Sequence, residues 1–268
     1  MNIGSPSKFF VIAGPCVIED EEMTHRIARR LAEIRDRTEI GILFKASFDK
    51  ANRTSITGFR GPGMKEGLRI LADIRSETGL ALVTDVHEPD QAGPVGEVVD
   101  CVQVPAFLCR QTDLLIACAR TGKAVNVKKG QFVSPAEMKN AVQKIRDSGN
   151  DRILLTERGT FFGYNRLVND MTAIPAMQAL GCPVVMDATH STQQPGGLGQ
   201  ASAGNRQLTP VLARAAVAAG ADGLFMEVHP MPDKALCDAA CMIPLDWVEN
   251  LIRMCASLHT LIRENQSC

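Results

Sequence analysis

The sequence is poor in aromatic residues: its 268 positions hold one Trp, one Tyr and ten Phe. Such a chain offers few rings on which nucleobases could stack, which argues against a single-strand nucleic-acid platform. It also lacks an excess of either charge, with 29 Lys and Arg against 30 Asp and Glu. That balance argues against a general polyanion-binding surface, so any cationic function must be local. No apolar run approaches the length of a membrane span. The opening segment, Met1 to Lys8, is short and polar, and the apolar run after it stops at Gly14-Pro15, so no signal peptide is read. The expected compartment is the cytoplasm. Nine cysteines are present without a single C-x-x-C pair, which removes the usual sign of a zinc ribbon or a redox centre. Reduced, mostly buried thiols are the expectation.

What is present is a rhythm. Apolar residues make up 45% of the chain, and eight short β-branched runs recur along it: 9–13, 41–44, 81–84, 101–104, 124–127, 152–156, 183–186 and 223–226. Each precedes a segment of helical periodicity. Met23, Ile27, Leu31 and Ile34 share one helix face, as do Met138, Val142 and Ile145. Ser134-Pro135-Ala136-Glu137 supplies a capping box with Pro at the first helical position. Val248, Ile252, Cys255, Leu258 and Ile262 mark a closing helix. Runs that are apolar throughout belong to strands buried on both faces, as parallel strands are. Eight alternating units predict a (β/α)8 TIM barrel, one domain over residues 1–268, with an open doubly wound sheet as the runner-up.

In such barrels the chemistry sits where strands pass into the loops that follow them. Each run here ends in functional side chains: Gly14-Pro15-Cys16, Lys45, Asp85-Val86-His87, Gln103-Val104-Pro105, Asn126-Val127-Lys128-Lys129, Glu157-Arg158, Asp187-Ala188-Thr189-His190 and Glu227-Val228-His229. One polar strand end is ordinary loop chemistry, whereas eight together indicate a site. Lys45, Lys50, Arg53, Arg60, Arg110, Lys128 and Arg158 would repel one another unless they neutralise phosphate or carboxylate groups. Lys50 to Ser55 adds hydroxyls and loop amides to a guanidinium, as a phosphate pocket needs. The Gly-rich loop Gln194 to Gly199 is open to three readings: phosphate cradle, lid or plain connection. Cys16, His190, Glu227 and Asp238 form a mixed donor set suited to a borderline divalent ion, and equally suit buried hydrogen-bonded groups. His229 precedes Pro230 and is expected only to order its loop; His25 and His259 are expected at the surface of helices.

On these residues the chain resembles 3-deoxy-D-manno-octulosonate 8-phosphate synthase. The resemblance lies in Val11 to Cys16, Phe44 to Ser55, Pro105 to Asp113, Asn126 to Phe132, Thr156 to Gly159, Asp187 to Ser191 and Pro195 to Gly199, in order along nearly the whole chain. It implies a homotetrameric barrel that condenses phosphoenolpyruvate with D-arabinose 5-phosphate for lipopolysaccharide biosynthesis. It further implies that Lys128 and Arg158 bind the phosphoenolpyruvate phosphate, with Ala106 and Gln103 alongside. Lys45 and Lys50 would meet the carboxylate and the reacting centre, with Lys45, Lys50, Asp85 and His190 as the catalytic set. Asn52, Arg53 and Thr54 would hold the sugar phosphate, and Arg110 would reach it from a neighbouring subunit. Cys16, His190, Glu227 and Asp238 match the ligands of the metal-dependent branch (Zn, Fe, Mn or Co), whose metal-independent relatives carry Asn in place of Cys16. Around Asp238 the chain reads Cys237-Asp238-Ala239-Ala240-Cys241, which departs from the usual form of that loop. The rivals are 3-deoxy-D-arabino-heptulosonate 7-phosphate synthase, with Lys-Pro-Arg-Thr where this chain has Lys50-Ala51-Asn52-Arg53-Thr54, and a non-catalytic sugar-phosphate binding barrel.

Overall fold

The computed structural model describes residues 8–53, 55–160, 165–195 and 203–265. Thr54, the glycines of the Gly-rich loop and Cys268 lie outside the described residues.

Eight barrel strands and eight helices alternate along the described chain, with three two-residue strands, Gln193–Gln194, Ala203–Gly204 and Ile243–Pro244, in the loops. The strands are β1 (Phe10–Gly14), β2 (Gly41–Lys45), β3 (Ala81–Asp85), β4 (Cys101–Val104), β5 (Ala124–Lys128), β6 (Ile153–Glu157), β7 (Val184–Asp187) and β8 (Gly223–His229). Each pairs in parallel with the next. The last closes on the first, from Phe10 opposite Gly223 to Gly14 opposite Glu227. The result is the expected closed (β/α)8 barrel. Most of the strands run one or more residues past the apolar runs and end on the functional side chain itself, as at Lys45, Asp85, Lys128, Glu157 and Asp187. At the end of β1 the backbone passes so close to β2 that a Cβ on Gly14 would lie 2.0 Å from the Lys45 carbonyl oxygen; only glycine fits.

The helices are α1 (Glu21–Thr38), α2 (Met64–Thr78), α3 (Pro89–Val98), α4 (Thr112–Arg120), α5 (Met138–Asp147), α6 (Ala173–Gln178), α7 (Thr209–Ala218) and α8 (Val248–Glu264). Asp20 caps α1 by accepting from the Met23 N–H at 2.8 Å. The Ser134 capping box forms, but it opens on one 3₁₀ turn, Pro135–Glu137, before α5 begins. None of the described helices is long and apolar enough to cross a membrane.

Two large apolar cores result, beside a small cluster of Cys16, Val17, Cys237 and Met242. One lies between the barrel and its helices. The other plugs the barrel and consists of Phe10, Ile12, Leu43, Val83, Cys101, Ala124, Leu154, Val185 and Phe225. The eight described cysteines are free and buried. Burial pushes the Cys101 and Cys118 thiols up to about 12 and Cys255 to about 11, values that make them inert packing groups. One expectation fails. His259 is 6% exposed and packs on Phe9 at 5.6 Å between ring centroids, because it stands four residues after buried Cys255 on the inner face of α8. His25 is on the outer layer, where its Nδ1 meets Glu77 at 2.5 Å.

Candidate active site at the barrel mouth

Side chains alternate along a strand, so the residue two steps beyond each plug residue faces the same interior. The chemistry changes at that step. Leu43 is followed by Lys45, Val83 by Asp85, Cys101 by Gln103, Ala124 by Asn126 and then Lys128, Val185 by Asp187, and Phe225 by Glu227. Asn126 donates to Gln103 Oε1 at 3.1 Å and accepts from Thr156 at 2.7 Å, forming a polar floor above the plug. Over that floor opens a cavity of about 910 Å³. Its walls include Lys45, Lys50, Asn52, Arg53, Asp85, Gln103, Ala106, Lys128, Arg158, His190, Glu227 and Asp238.

Three of these cations, Lys45, Lys50 and Lys128, are held in ion pairs with buried carboxylates. Lys45 Nζ, 1% exposed, donates to the Cys16 carbonyl at 3.0 Å, to Ser47 Oγ at 2.8 Å and to Glu227 Oε1 at 3.3 Å. Lys50 Nζ stands 3.8 Å from the same Glu227 oxygen. Burial works to lower Lys50, but the Cys16 and Glu227 charges outweigh it and raise it well above its ordinary value. Lys128 Nζ meets Asp187 Oδ2 at 2.6 Å and lies 3.6 Å from the Phe225 ring centroid. Burial dominates there, and Lys128 is lowered despite Asp187. Asp85 accepts from Ser47 and lies 3.2 Å from His87 Nε2; against its burial, Lys45 and His87 hold it well below the carboxylate range. Lys129, next to Lys128, points the other way, bonding the Val133 carbonyl at 3.1 Å and approaching Glu157 at 3.5 Å.

Opposite the cations lies a cluster of soft and hard donors. His190 Nε2 is 3.3 Å from Glu227 Oε2 and 3.7 Å from Asp238 Oδ2. Cys16 Sγ is 3.4 Å from the same Asp238 oxygen. All four expected donors are therefore linked, with Asp238 as the hinge between two groups: His190, Glu227 and Asp238 on one side, Cys16, Cys237 and Asp238 on the other. Asp187 Oδ2 sits 2.6 Å from His190 Nδ1, which fixes the ring and directs Nε2 into the cluster. A carboxylate behind a histidine that faces other donors is the arrangement metal-bound imidazoles use, and the donor set fits a divalent ion. Burial lowers His190, but Asp187 and Glu227 outweigh it and the net direction is upward. Burial, and then Cys237, pushes the Cys16 thiol well above its ordinary value.

Two expected cations lie elsewhere. Arg110 is exposed on the turn after β4 and borders a separate cavity of about 380 Å³ with Val133 and Lys144, so this chain's own mouth does not receive it. Arg60 is exposed and pairs with Asp49 at 2.7 Å, which removes it from the converging set. His229 accepts from the Met231 N–H at 2.9 Å and orders its loop, as read from the sequence. Three residues with clear parts in the site are given no role by the sequence reading. Asp187 bridges Lys128 and His190, and the sequence signal was a carboxylate three positions before an imidazole. Gln193 accepts from Arg158 and donates to Asp238 at 3.3 Å. Cys237 lies 3.1 Å from Cys16.

Known proteins resemble this chain along nearly its whole length. A family model described as the DAHP synthetase I family matches residues 1–264. A 2-dehydro-3-deoxyphosphooctonate aldolase from Syntrophotalea carbinolica is 56% identical over 255 residues, covering 95% of this chain and 92% of that protein. One of the same name from Nitratidesulfovibrio vulgaris is 58% identical over 252 residues, covering 94% and 92%. Another, from Geobacter metallireducens, is 54% identical over 263 residues, covering 98% and 97%.

Proposed function

The chain belongs to the DAHP synthetase I family, and on that premise we infer that it joins phosphoenolpyruvate to D-arabinose 5-phosphate. The products are 3-deoxy-D-manno-octulosonate 8-phosphate and inorganic phosphate, a step of lipopolysaccharide biosynthesis. The observation that carries the reading is the set of buried cations, Lys45, Lys128 and Arg158, converging on one cavity beside the Cys16, His190, Glu227 and Asp238 cluster. Buried cations stacked this closely suit two anionic substrates held together.

In the reaction the methylene carbon of phosphoenolpyruvate bonds to the sugar's aldehyde carbon, and the aldehyde oxygen takes a proton. Water adds to the carbon that bears phosphate, and that carbon–oxygen bond then breaks to leave the keto acid and phosphate. Lys128 and Arg158 neutralise the phosphate as it departs, with Ala106 and Gln103 shaping its pocket. Lys45 and Lys50 offset the carboxylate and the negative charge that develops at the reacting oxygens. Asp85 Oδ1 stands 3.9 Å from Lys45 Nζ and helps to place it. Asp187 spans both halves of the site, holding Lys128 on one side and His190 on the other. Asn52 and Arg53 at the rim, together with Thr54, hold the sugar phosphate. Cys16, His190, Glu227 and Asp238 would bind a divalent ion such as Zn, Fe, Mn or Co, which when bound supplies Lewis-acid polarisation of an oxygen ligand.

The protein acts as a single-domain cytoplasmic homotetramer in this reading. Phe107 and Phe132, each about half exposed on the loops after β4 and β5, support contact between copies. Arg110 stands in the first of these loops and would complete a neighbour's sugar-phosphate pocket.

Phosphate release from phosphoenolpyruvate, measured with arabinose 5-phosphate and separately with erythrose 4-phosphate, tests the reaction. Release with the five-carbon sugar alone is expected. Release only with the four-carbon sugar would make it a heptulosonate synthase, and binding without release a sugar-phosphate binding barrel.

A further inference from the structure

The loop after β8 brings a second sulfur to the donor cluster. Asp238 takes a left-handed backbone conformation, φ 47°, and at this bend two consecutive side chains, Cys237 and Asp238, reach one point. Cys237 Sγ stands 3.1 Å from Cys16 Sγ and 3.6 Å from Asp238 Oδ2, the oxygen that Cys16 approaches at 3.4 Å. The three donor atoms lie within 4.8 Å of one another. Both thiols are buried and pack with Val17 and Met242, and Cys237 borders the cavity. Arg53 completes the arrangement: one guanidinium nitrogen donates to Cys237 Sγ at 2.8 Å and another to the Leu236 carbonyl at 3.2 Å. A cation at that place offsets the negative charge that a second thiolate adds to a centre already holding two carboxylates.

We propose that Cys237 is a second sulfur ligand of the metal centre, so that the ion is held by two thiolates together with the Asp238 carboxylate and the His190 and Glu227 group. The proposal rests on the reading of this cluster as a metal site. Zinc–sulfur bonds of about 2.3 Å that meet near the tetrahedral angle set two sulfur atoms about 3.8 Å apart, so the two thiols need part by only some tenths of an ångström. Two thiolates make the centre softer than one, favouring Zn²⁺, Co²⁺ and Cd²⁺ over Mn²⁺. Arg53 belongs to the segment expected to hold the sugar phosphate, so its bond to Cys237 joins the substrate rim to the metal centre.

Co²⁺ alone is the probe. The reduced, chelator-treated protein is loaded with one equivalent, and the sulfur-to-cobalt charge-transfer absorption is recorded. Cys237→Ser and Cys16→Ser should each lower that absorption to about half, and the double variant should abolish it. Cys241→Ala, which alters a buried thiol on the same loop outside the three-donor group, should leave it unchanged. Competition between Zn²⁺ and Mn²⁺ should shift toward Mn²⁺ by about tenfold in Cys237→Ser. Circular dichroism and thermal unfolding establish that each variant is folded; if the Ser variant fails this, Cys237→Ala replaces it. Full absorption and an unshifted competition in folded Cys237→Ser would overturn the proposal while leaving the Cys16 centre intact. A wild-type protein with no cobalt–sulfur absorption would overturn the metal reading itself.

Discussion

At one level of the barrel interior Leu43, Val83, Leu154 and Val185 pack together, while two residues further along the same strands stand Lys45, Asp85, Thr156 and Asp187. The plug and the mouth share strands, facing direction and near-complete burial, and differ only in chemistry. In the plug, burial is favourable for every atom. At the mouth Lys128 and Lys45 are tolerated because Asp187 and Glu227 stand within ion-pair reach, while buried Arg158 bonds the neutral Gln193. The plug therefore carries stability and the mouth the proposed function, and the polar ring of Gln103, Asn126 and Thr156 divides them.

The comparison breaks most sharply at Lys128. Lys128→Ala should lower kcat/KM by about 10²–10³-fold, while Asp187 keeps His190 as its counter-ion and thermal unfolding moves little. Unchanged steady-state kinetics would contradict the division. The reverse experiment is Leu154→Ala, expected to cost about 2–5 kcal/mol in chemical denaturation while leaving KM for either substrate near wild type. Asp187→Asn reaches the metal half through His190, and competition with a chelator should show divalent-ion affinity falling about 10–100-fold. Asp187→Glu should restore part of it, which simple loss of packing would not.

A smaller and graded effect comes from pH. His190 is raised by Asp187 and Glu227, and Cys16 is raised by burial, so both hold protons that an incoming ion must displace. Divalent-ion affinity should therefore increase with pH, with proton release measurable in two buffers of different ionisation enthalpy. In the chelated protein the trend runs the other way. A histidine whose folded value is raised contributes stability below its ordinary value, and that contribution is lost as pH rises through the raised value. Urea midpoints measured with and without metal should diverge as pH increases; parallel midpoints would detach His190 from the centre.

The barrel was legible because strands buried on both faces read as largely apolar runs, and those at β2, β3, β7 and β8 stop just before the inward Lys45, Asp85, Asp187 and Glu227. Direction within a polar pair was not legible. Lys128 and Lys129 are equivalent as residue types, yet pleating sends the first into the cavity and the second to the Val133 carbonyl and Glu157. Cys16 and Cys237 lie 221 positions apart, and only barrel closure sets the loop after β8 against the loop after β1. His259 was misplaced because its polar type was weighed above its position, although Val248, Ile252, Cys255 and His259 keep the four-three-four spacing of a buried stripe. Arg60 shows the converse: a cation in the right segment, satisfied by Asp49 outside the mouth.

The most direct test of the two-part mouth is phosphate release from phosphoenolpyruvate and arabinose 5-phosphate before chelation, after chelation, and after adding back single divalent ions. The account predicts activity that disappears with the metal and returns with a borderline ion, since the cations bind the substrates and the Cys16, His190, Glu227 and Asp238 cluster completes the site. Full activity in the metal-free protein would contradict it, leaving the reaction to the cations and the cluster to structure.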